Sequence, residues 1–124
     1  DLYVLDPSGK TSHFIWRDPT HVAAWTRPIG KHSGFWLLRD KSGWMEQIGK
    51  GVLTQNGHNT YLPNTNNEWI LNDTYPDKKT SRHTVYLYHV PSGRRVDLGQ
   101  PGPSKILHYR GRRLCRGLGG RVRP

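Results

Sequence analysis

Ser12-His13-Phe14-Ile15-Trp16 opens one apolar stretch of the chain, and Gly57-His58-Asn59 opens a matching stretch 45 positions later that leads into Glu68-Trp69-Ile70-Leu71. Each stretch therefore begins with a histidine at the entrance to an expected strand. Three Ser-Gly turns punctuate the same register: Ser8-Gly9, Ser42-Gly43 and Ser92-Gly93. A repeat of about 40–45 residues built from short strands is the signature of a β-propeller blade. We therefore predict an all-β fold made of four-stranded antiparallel blades, a fragment of a propeller.

The repeat divides the chain into four parts. These are 1–10, the last strand of a preceding blade with Leu2–Leu5 extended; 11–50, one blade; 51–100, a second blade; and 101–124, an irregular basic tail. The remaining predicted strands are Phe14–Trp16, His21–Thr26, Phe35–Arg39, Trp44–Ile48, His58–Leu62, Trp69–Thr74, Thr84–Val90 and Arg94–Leu98. No apolar pattern with a 3.6-residue period and caps is present, so we predict almost no helix.

The net charge of +10 belongs mostly to the tail. Residues 1–102 hold 12 Lys and Arg against 9 Asp and Glu, whereas residues 103–124 hold 7 basic residues and no acidic one. Binding to phosphates needs basic residues on a folded face or in a dedicated arm. The arginines of the tail have few aromatic residues among them, which is a weak signal for RNA. Nucleic acid is therefore not the partner that we predict.

The tail from Arg110 to Pro124 has no strand or helix period where a further blade would begin. Two hypotheses account for it: a disordered basic arm, or an out-of-frame translation of codons that once encoded the next blade. We favour the second, because Arg, Gly and Pro with a stray cysteine are typical of a shifted GC-rich frame. That cysteine, Cys115, is the only one, so no disulfide within the chain and no cysteine zinc cluster is expected. The compartment, periplasmic or cytoplasmic, is undetermined, and no apolar run approaches the length of a membrane span.

His13 and His58 are the leading candidates for chemistry. The residue that opens the innermost strand of each blade lies near one mouth of the central channel, so both imidazoles are expected to face a shared axis. Imidazoles that converge from neighbouring blades can ligate a transition metal. The alternative, which we favour on the residues alone, is that each histidine hydrogen-bonds a neighbouring loop and holds the register of its blade.

The loop after the second blade's second strand supplies further candidates. Asp73 and Asp77 can bind a cation or a sugar hydroxyl, or they can cap the amides of their own loop, which we favour. Tyr75 and Arg82 belong to the same loop and are candidates for binding substrate. Arg17 either forms a structural ion pair with its neighbouring aspartate or meets a carboxylate ligand through its bidentate fork. Four tryptophans are expected to pack between blades: Trp25, Trp36, Trp44 and Trp69.

Two segments carry a resemblance to a known family. They are Ser12-His13-Phe14-Ile15-Trp16-Arg17-Asp18-Pro19-Thr20-His21-Val22, and Gly57-His58-Asn59 followed by Trp69-Ile70-Leu71-Asn72-Asp73-Thr74-Tyr75-Pro76-Asp77. These segments resemble the oligogalacturonate lyase-like branch of TolB-type, WD40-like β-propellers. The resemblance covers residues 1 to about 100, which would be about two blades of a larger ring.

The resemblance implies a polysaccharide lyase that cleaves oligouronides by β-elimination. Lyases of that family hold a metal, often Mn²⁺, with histidines and a glutamine at the channel mouth. By position, His13 matches a catalytic base or a metal ligand and His58 a metal ligand, while Arg17 is placed to meet the uronate. The family draws its histidines from several successive blades, so this chain alone would lack a complete site.

Two blades would leave two apolar faces open. A propeller is stabilised by packing each blade on the next, so we expect missing blades or self-association to cover these faces. The alternative function is a non-enzymatic TolB-like scaffold that binds a protein or a glycan at its channel mouth, since a shared fold does not establish an activity.

Overall fold

The structure is a computed structural model that describes residues 1–100, and within them the chain forms strands and turns with no helix. The eight strands are β1 (Phe14–Asp18), β2 (His21–Thr26), β3 (Gly34–Arg39), β4 (Met45–Ile48), β5 (Asn59–Tyr61), β6 (Trp69–Asp73), β7 (Val85–His89) and β8 (Arg94–Gly99). They form two antiparallel sheets, in the orders β1-β2-β3-β4 and β5-β6-β7-β8. The predicted all-β fold of two four-stranded antiparallel units is confirmed.

Local turn chemistry sets the connections of each sheet. In the β3–β4 and β7–β8 hairpins, Gly43 and Gly93 adopt φ values of 71° and 69°, a region that glycine enters without steric cost. The serine before each glycine accepts a hydrogen bond from the backbone N–H two residues later, at Trp44 and Arg94. Three asparagines in the β5–β6 loop also have positive φ, as the turn prediction requires: Asn64, Asn66 and Asn67.

The main hydrophobic core lies between the two sheets. Phe35 of the first sheet packs with Leu53 of the connecting loop and with Ile70, Tyr86 and Tyr88 of the second sheet. All five side chains are at most 5 % exposed. The alternation along β7 therefore turns its two tyrosines inward, while the intervening aliphatic residues lie on the opposite face of that sheet.

A second apolar cluster covers the other face of the first sheet. It consists of Val22, Ala24, Trp36 and Leu38, against which Leu5 and Met45 pack. The four tryptophans expected between blades therefore separate. Trp25 packs on the core between the sheets, Trp36 is buried on the opposite face, Trp44 is 42 % exposed, and Trp69 packs against the His89 ring.

Leu2–Leu5 forms no strand within residues 1–100, and its assignment as the last strand of a preceding blade stays a prediction. A strand needs a neighbour to complete its hydrogen-bond ladder, and no strand within residues 1–100 pairs with this one. Asp6 anchors the segment instead, because its carboxylate accepts hydrogen bonds from the hydroxyls of Thr11 and Thr26 and from the N–H of Ser8. No helix in residues 1–100 is long and apolar enough to cross a membrane. The predictions for 101–124 lie outside the described residues.

Candidate functional site

The structure brings the two repeated histidines together. His13 directly precedes β1 and His58 directly precedes β5, and these two edge strands lie against each other across the gap between the sheets. The imidazole centroids are 4.5 Å apart, with the ring planes inclined by 64° in an edge-to-face arrangement. Residues 45 positions apart in the sequence are thus in ring contact, as the repeat predicts.

Each imidazole is oriented by a hydrogen bond at Nδ1. The Nδ1 of His13 donates to Oδ1 of Asn56 at 3.0 Å, and the amide nitrogen of Asn56 donates to the hydroxyl of Ser12 at 3.0 Å. The Nδ1 of His58 lies 3.2 Å from Oδ2 of Asp73, whose Oδ1 also accepts from the His58 backbone N–H at 2.6 Å. Because Nδ1 carries the proton in both hydrogen bonds, Nε2 of each neutral ring keeps its lone pair.

The histidine pair is open to solvent on one side. The side chain of His58 is 75 % exposed, and that of Asp73 behind it is 27 % exposed. The ring of Tyr75 lies 5.7 Å from that of His13, and Tyr75 as a whole is 55 % exposed. Three rings therefore form a cluster that a solute can reach.

An open pocket of about 570 Å³ adjoins this cluster. Asn56 and Tyr75 belong both to the pocket wall and to the surroundings of His13. Two cationic side chains, Lys78 and Arg82, line the same wall. The pocket wall thus combines a tyrosine, three side-chain amides, two positive charges and the Asp77 carboxylate. The amides, the tyrosine and the positive charges are groups that bind anionic, hydroxyl-rich molecules.

Asp77 caps its own loop. Its Oδ1 accepts hydrogen bonds from the backbone N–H groups of Lys79 and Thr80, each at 2.9 Å, and from the hydroxyl of Thr80. The two backbone hydrogen bonds are the main reason that the pKa of Asp77 lies below its ordinary value. Capping, the alternative favoured from sequence, is the arrangement present for Asp77. Asp73 instead binds the loop of His58 and orients its ring.

Arg17 does not join the cluster. It lies towards the far end of β1, about 13 Å from His13 at roughly 3.3 Å per residue. Its Nε donates to Oδ2 of Asp18 at 2.7 Å, so the structural ion pair considered from sequence is present. The assignment of Arg17 to a uronate carboxylate stays a prediction.

Asp18 is the most heavily hydrogen-bonded carboxylate in the described part of the chain. Burial alone would raise its pKa, but hydrogen bonds from the Thr20 N–H, from His21, from Arg17 and from the Thr20 hydroxyl together lower the pKa well below the ordinary 3.8. A carboxylate with a depressed folded-state pKa stabilises the fold above its unfolded pKa. This contribution is lost as the pH falls below about 3.8 towards the folded-state pKa.

We expect Asp18→Asn to lower the free energy of unfolding at pH 7 by about 1–2 kcal/mol, because several charge-assisted hydrogen bonds weaken. The difference from the wild type should shrink as the pH falls from about 4 to 3, because the carboxylate of the unfolded wild type takes up a proton there while the hydrogen-bonded carboxylate of the folded chain stays ionised. Urea unfolding at pH 7, 5, 4 and 3 measures this difference. Asp40→Asn is the matched control, because the Asp40 carboxylate makes none of these hydrogen bonds. A difference that stays constant over that pH range would contradict the assignment.

Asn72 is the residue within 1–100 whose buried polar side-chain atoms lack a hydrogen-bond partner. It is 2 % exposed and lies in β6 between Leu71 and Asp73, opposite Asn59 of β5. An unpaired buried amide costs about 1–3 kcal/mol, so an apolar residue would be more stable at this position. Positions that sacrifice stability in this way concentrate at functional sites. Asn72 adjoins both the carboxylate that orients His58 and the strand that His58 precedes.

Sequence reasoning missed Asn56 and Lys78. Asn56 bonds His13 across 43 positions, and no local pattern reveals a partner so distant. Its position immediately before Gly57-His58 is the one signal that was available. Lys78 was visible only as part of a polar loop, because a charged loop residue gives no sign of which wall it will line.

The residues partly fit a metal centre. Metal-bound histidines usually donate their second ring N–H to a carboxylate or carbonyl oxygen, and both His13 and His58 do so through Nδ1. Their Nε2 atoms are therefore the two nitrogen donors on offer. Among residues 1–100, no group of three or more His, Cys, Asp or Glu side chains is placed to hold a metal ion. The described residues thus offer two nitrogen donors, which is fewer than a metal centre needs.

Comparison of the chain with protein-family models, with curated proteins and with solved structures gave no match.

Proposed function

We propose that residues 1–100 supply part of a site that binds oligouronides and, in a complete ring of sheets, cleaves them by metal-assisted β-elimination. The observation that carries the proposal is the His13–His58 pair, with both Nε2 lone pairs free, beside a pocket that contains Lys78 and Arg82. The resemblance of the two histidine segments to oligogalacturonate lyases supports the same reaction.

The cationic wall would bind the substrate. The guanidinium of Arg82 can make two parallel hydrogen bonds to a uronate carboxylate, and Lys78 adds a second positive charge nearby. Tyr75 offers a ring face and a hydroxyl to the sugar. Together with Asp73, which faces His58, these residues extend the candidate substrate contacts from the pocket to the histidine pair.

The histidines would perform the proton transfer and hold the metal. In β-elimination a base removes the proton α to the carboxylate, the electron pair forms the new C=C bond, and the glycosidic oxygen leaves. The Nε2 of His13 is the proposed base, and His58, oriented by the Asp73 carboxylate, is the proposed metal ligand. The resemblance suggests Mn²⁺, which, when bound, would supply positive charge at the uronate carboxylate as a Lewis acid.

The test separates binding from turnover. We expect oligogalacturonides to bind the chain in calorimetric titrations, and Arg82→Ala to weaken binding about 10-fold through loss of a charge-assisted hydrogen bond. Arg94→Ala is the matched control, since Arg94 lies exposed on β8 and outside the pocket. In a protein that carries these two sheets within a complete ring, Mn²⁺ should produce the ultraviolet absorbance of an unsaturated uronate, and His58→Ala should abolish it. Failure of both binding and turnover would remove the proposal.

A non-enzymatic scaffold that binds a glycan or a protein is the second candidate. The hydrogen bond from His13 to Asn56 favours it, because this bond ties the entrance of β1 to the loop that precedes β5. A histidine pair used only to hold two loops would not need a metal. On this reading His58→Ala leaves ligand binding unchanged and Mn²⁺ has no effect on it, whereas the lyase proposal requires the variant to lose Mn²⁺ binding and turnover.

A further inference from the structure

The two sheets repeat each other in register. Across the first sheet, Trp16 pairs with Val22 and Val22 with Leu38; across the second, Tyr61 pairs with Ile70 and Ile70 with Tyr88. Two residues away along each strand, on the same face, a second set of residues is paired. In the first sheet these are Phe14, Ala24 and Trp36. In the second sheet they are Asn59, Asn72 and Tyr86. We call these six positions of each sheet its front face and the opposite side its back face.

The front face of the second sheet is covered within the chain. The back face of the first sheet supplies the cover, with Phe35 buried against Tyr86 and Ile70 and with Trp25 packed beside it. Tyr61, an edge residue of this front face, packs against the same core, and burial raises the pKa of its hydroxyl to about 12. A back face packed on a front face is therefore the contact that joins two successive sheets.

The front face of the first sheet has the same apolar character, and its four inner positions are at most 7 % exposed, with Leu5 and Met45 packed on them. Its β1 edge has no equivalent cover among residues 1–100. Trp16 occupies the position that Tyr61 has in the second sheet, yet it is 52 % exposed, and Phe14 is 63 % exposed. Both rings line an apolar groove of about 270 Å³, together with Leu5 and Val22. Large rings exposed along a groove indicate an interaction surface.

The back face of the second sheet provides the complementary surface. It carries large apolar side chains at the positions where the first sheet carries Ala23, Phe35 and Leu37, as the pairing of strands shows. These side chains are partly exposed and lie on three adjacent strands: Trp69, Leu71, Val85, Leu87 and Val96. Residues 1–100 thus present exposed rings at the β1 edge of the first sheet's front face and a partly exposed apolar back face on the second sheet.

We propose that a second copy of this chain docks head to tail, with the back face of its second sheet on the front face of the first sheet. The contact between the two sheets within one chain is the model for this interface, because the strand pairings give each front-face position of the second sheet an equivalent position in the first sheet. Such an interface is heterologous, so each copy keeps one free face and association can continue into a ring or a filament. Face-to-face packing of two first sheets would not reproduce this contact.

Two variants block the two faces separately. Trp16→Glu places a charge on the front face, and Leu87→Glu places one on the back face, while Ile29→Glu at a 73 % exposed loop position is the control. Sedimentation velocity over a 100-fold range of concentration reports the mass. The wild type and the control should rise to at least twice the monomer mass, and each face variant alone should stay monomeric.

Mixing the two face variants is the decisive step. The intact back face of Trp16→Glu and the intact front face of Leu87→Glu remain complementary, so the mixture should form one-to-one dimers and nothing larger. Circular dichroism checks that both variants are folded, and Val96→Glu replaces Leu87→Glu if the latter is not. A wild type that stays monomeric overturns the proposal. So does a mixture that stays monomeric, or a front-face variant that still dimerises.

Discussion

Gly57→Ala is expected to separate the loop of His58 from β6 and to cost more than about 3 kcal/mol of folding free energy. A Cβ at position 57 would overlap the carbonyl oxygen of Asp73 and would lie 2.7 Å from its carbonyl carbon and 2.9 Å from its Oδ1. The contacted atoms are mainly backbone, and Asp73 is paired with Val85 of β7, so they cannot move without opening the ladder. Once the added Cβ pushes the two segments apart, both hydrogen bonds from His58 to Asp73 would be lost.

Urea unfolding, monitored by tryptophan fluorescence, measures the loss of folding free energy in Gly57→Ala. Gly34→Ala is the matched control, because its Cβ would meet Nε2 of Gln47 at 2.7 Å, the free end of a flexible side chain that can turn away. We expect the control to lie within about 1 kcal/mol of the wild type and Gly57→Ala to lie far below it. Equal midpoints for the two variants would show that the close approach of Gly57 to Asp73 is not what fixes the His58 loop.

The strands were predictable because short-range rules determine them. Thr84–Val90 was predicted and Val85–His89 is present, since alternation and the turn at Ser92-Gly93 are both local. Leu2–Leu5 has a composition that suits a strand but forms none within residues 1–100, because a strand exists only beside a partner and the predicted partner belongs to a preceding blade. Alternation also leaves open which side of β7 is buried. The core takes Tyr86 and Tyr88, and that choice depends on where the other sheet lies.

The site was predictable only where the repeat carries it. His13 and His58 occupy equivalent positions in successive units, so their meeting follows from the fold. The pairing of Asn56 with His13 follows from no local rule, because it depends on how the connecting loop crosses between the sheets. The resemblance placed Arg17 at the uronate, yet four residues of extended strand place it well away from the His13 ring.

The second large effect is expected at the core between the sheets. Phe35→Ala should lower the free energy of unfolding by about 3–5 kcal/mol, through lost burial and the cavity that remains. Phe35 is 1 % exposed and stacks edge-to-face on Trp25, with ring centroids 5.2 Å apart and planes inclined by 75°. A loss of this size is a large fraction of the roughly 5–15 kcal/mol that stabilises a typical domain.

The chain contains a matched control for this variant, because its other phenylalanine, Phe14, is 63 % exposed. At a protein concentration too low for association, Phe14→Ala should change the free energy of unfolding by less than about 1 kcal/mol. Equal losses for Phe14→Ala and Phe35→Ala would mean that the two sheets do not share a core. Since the same packing holds the entrances of β1 and β5 together, Phe35→Ala should also weaken any ligand or metal binding that depends on His13 and His58. Phe14→Ala should leave such binding unchanged, because the packing of the two sheets on each other does not involve Phe14.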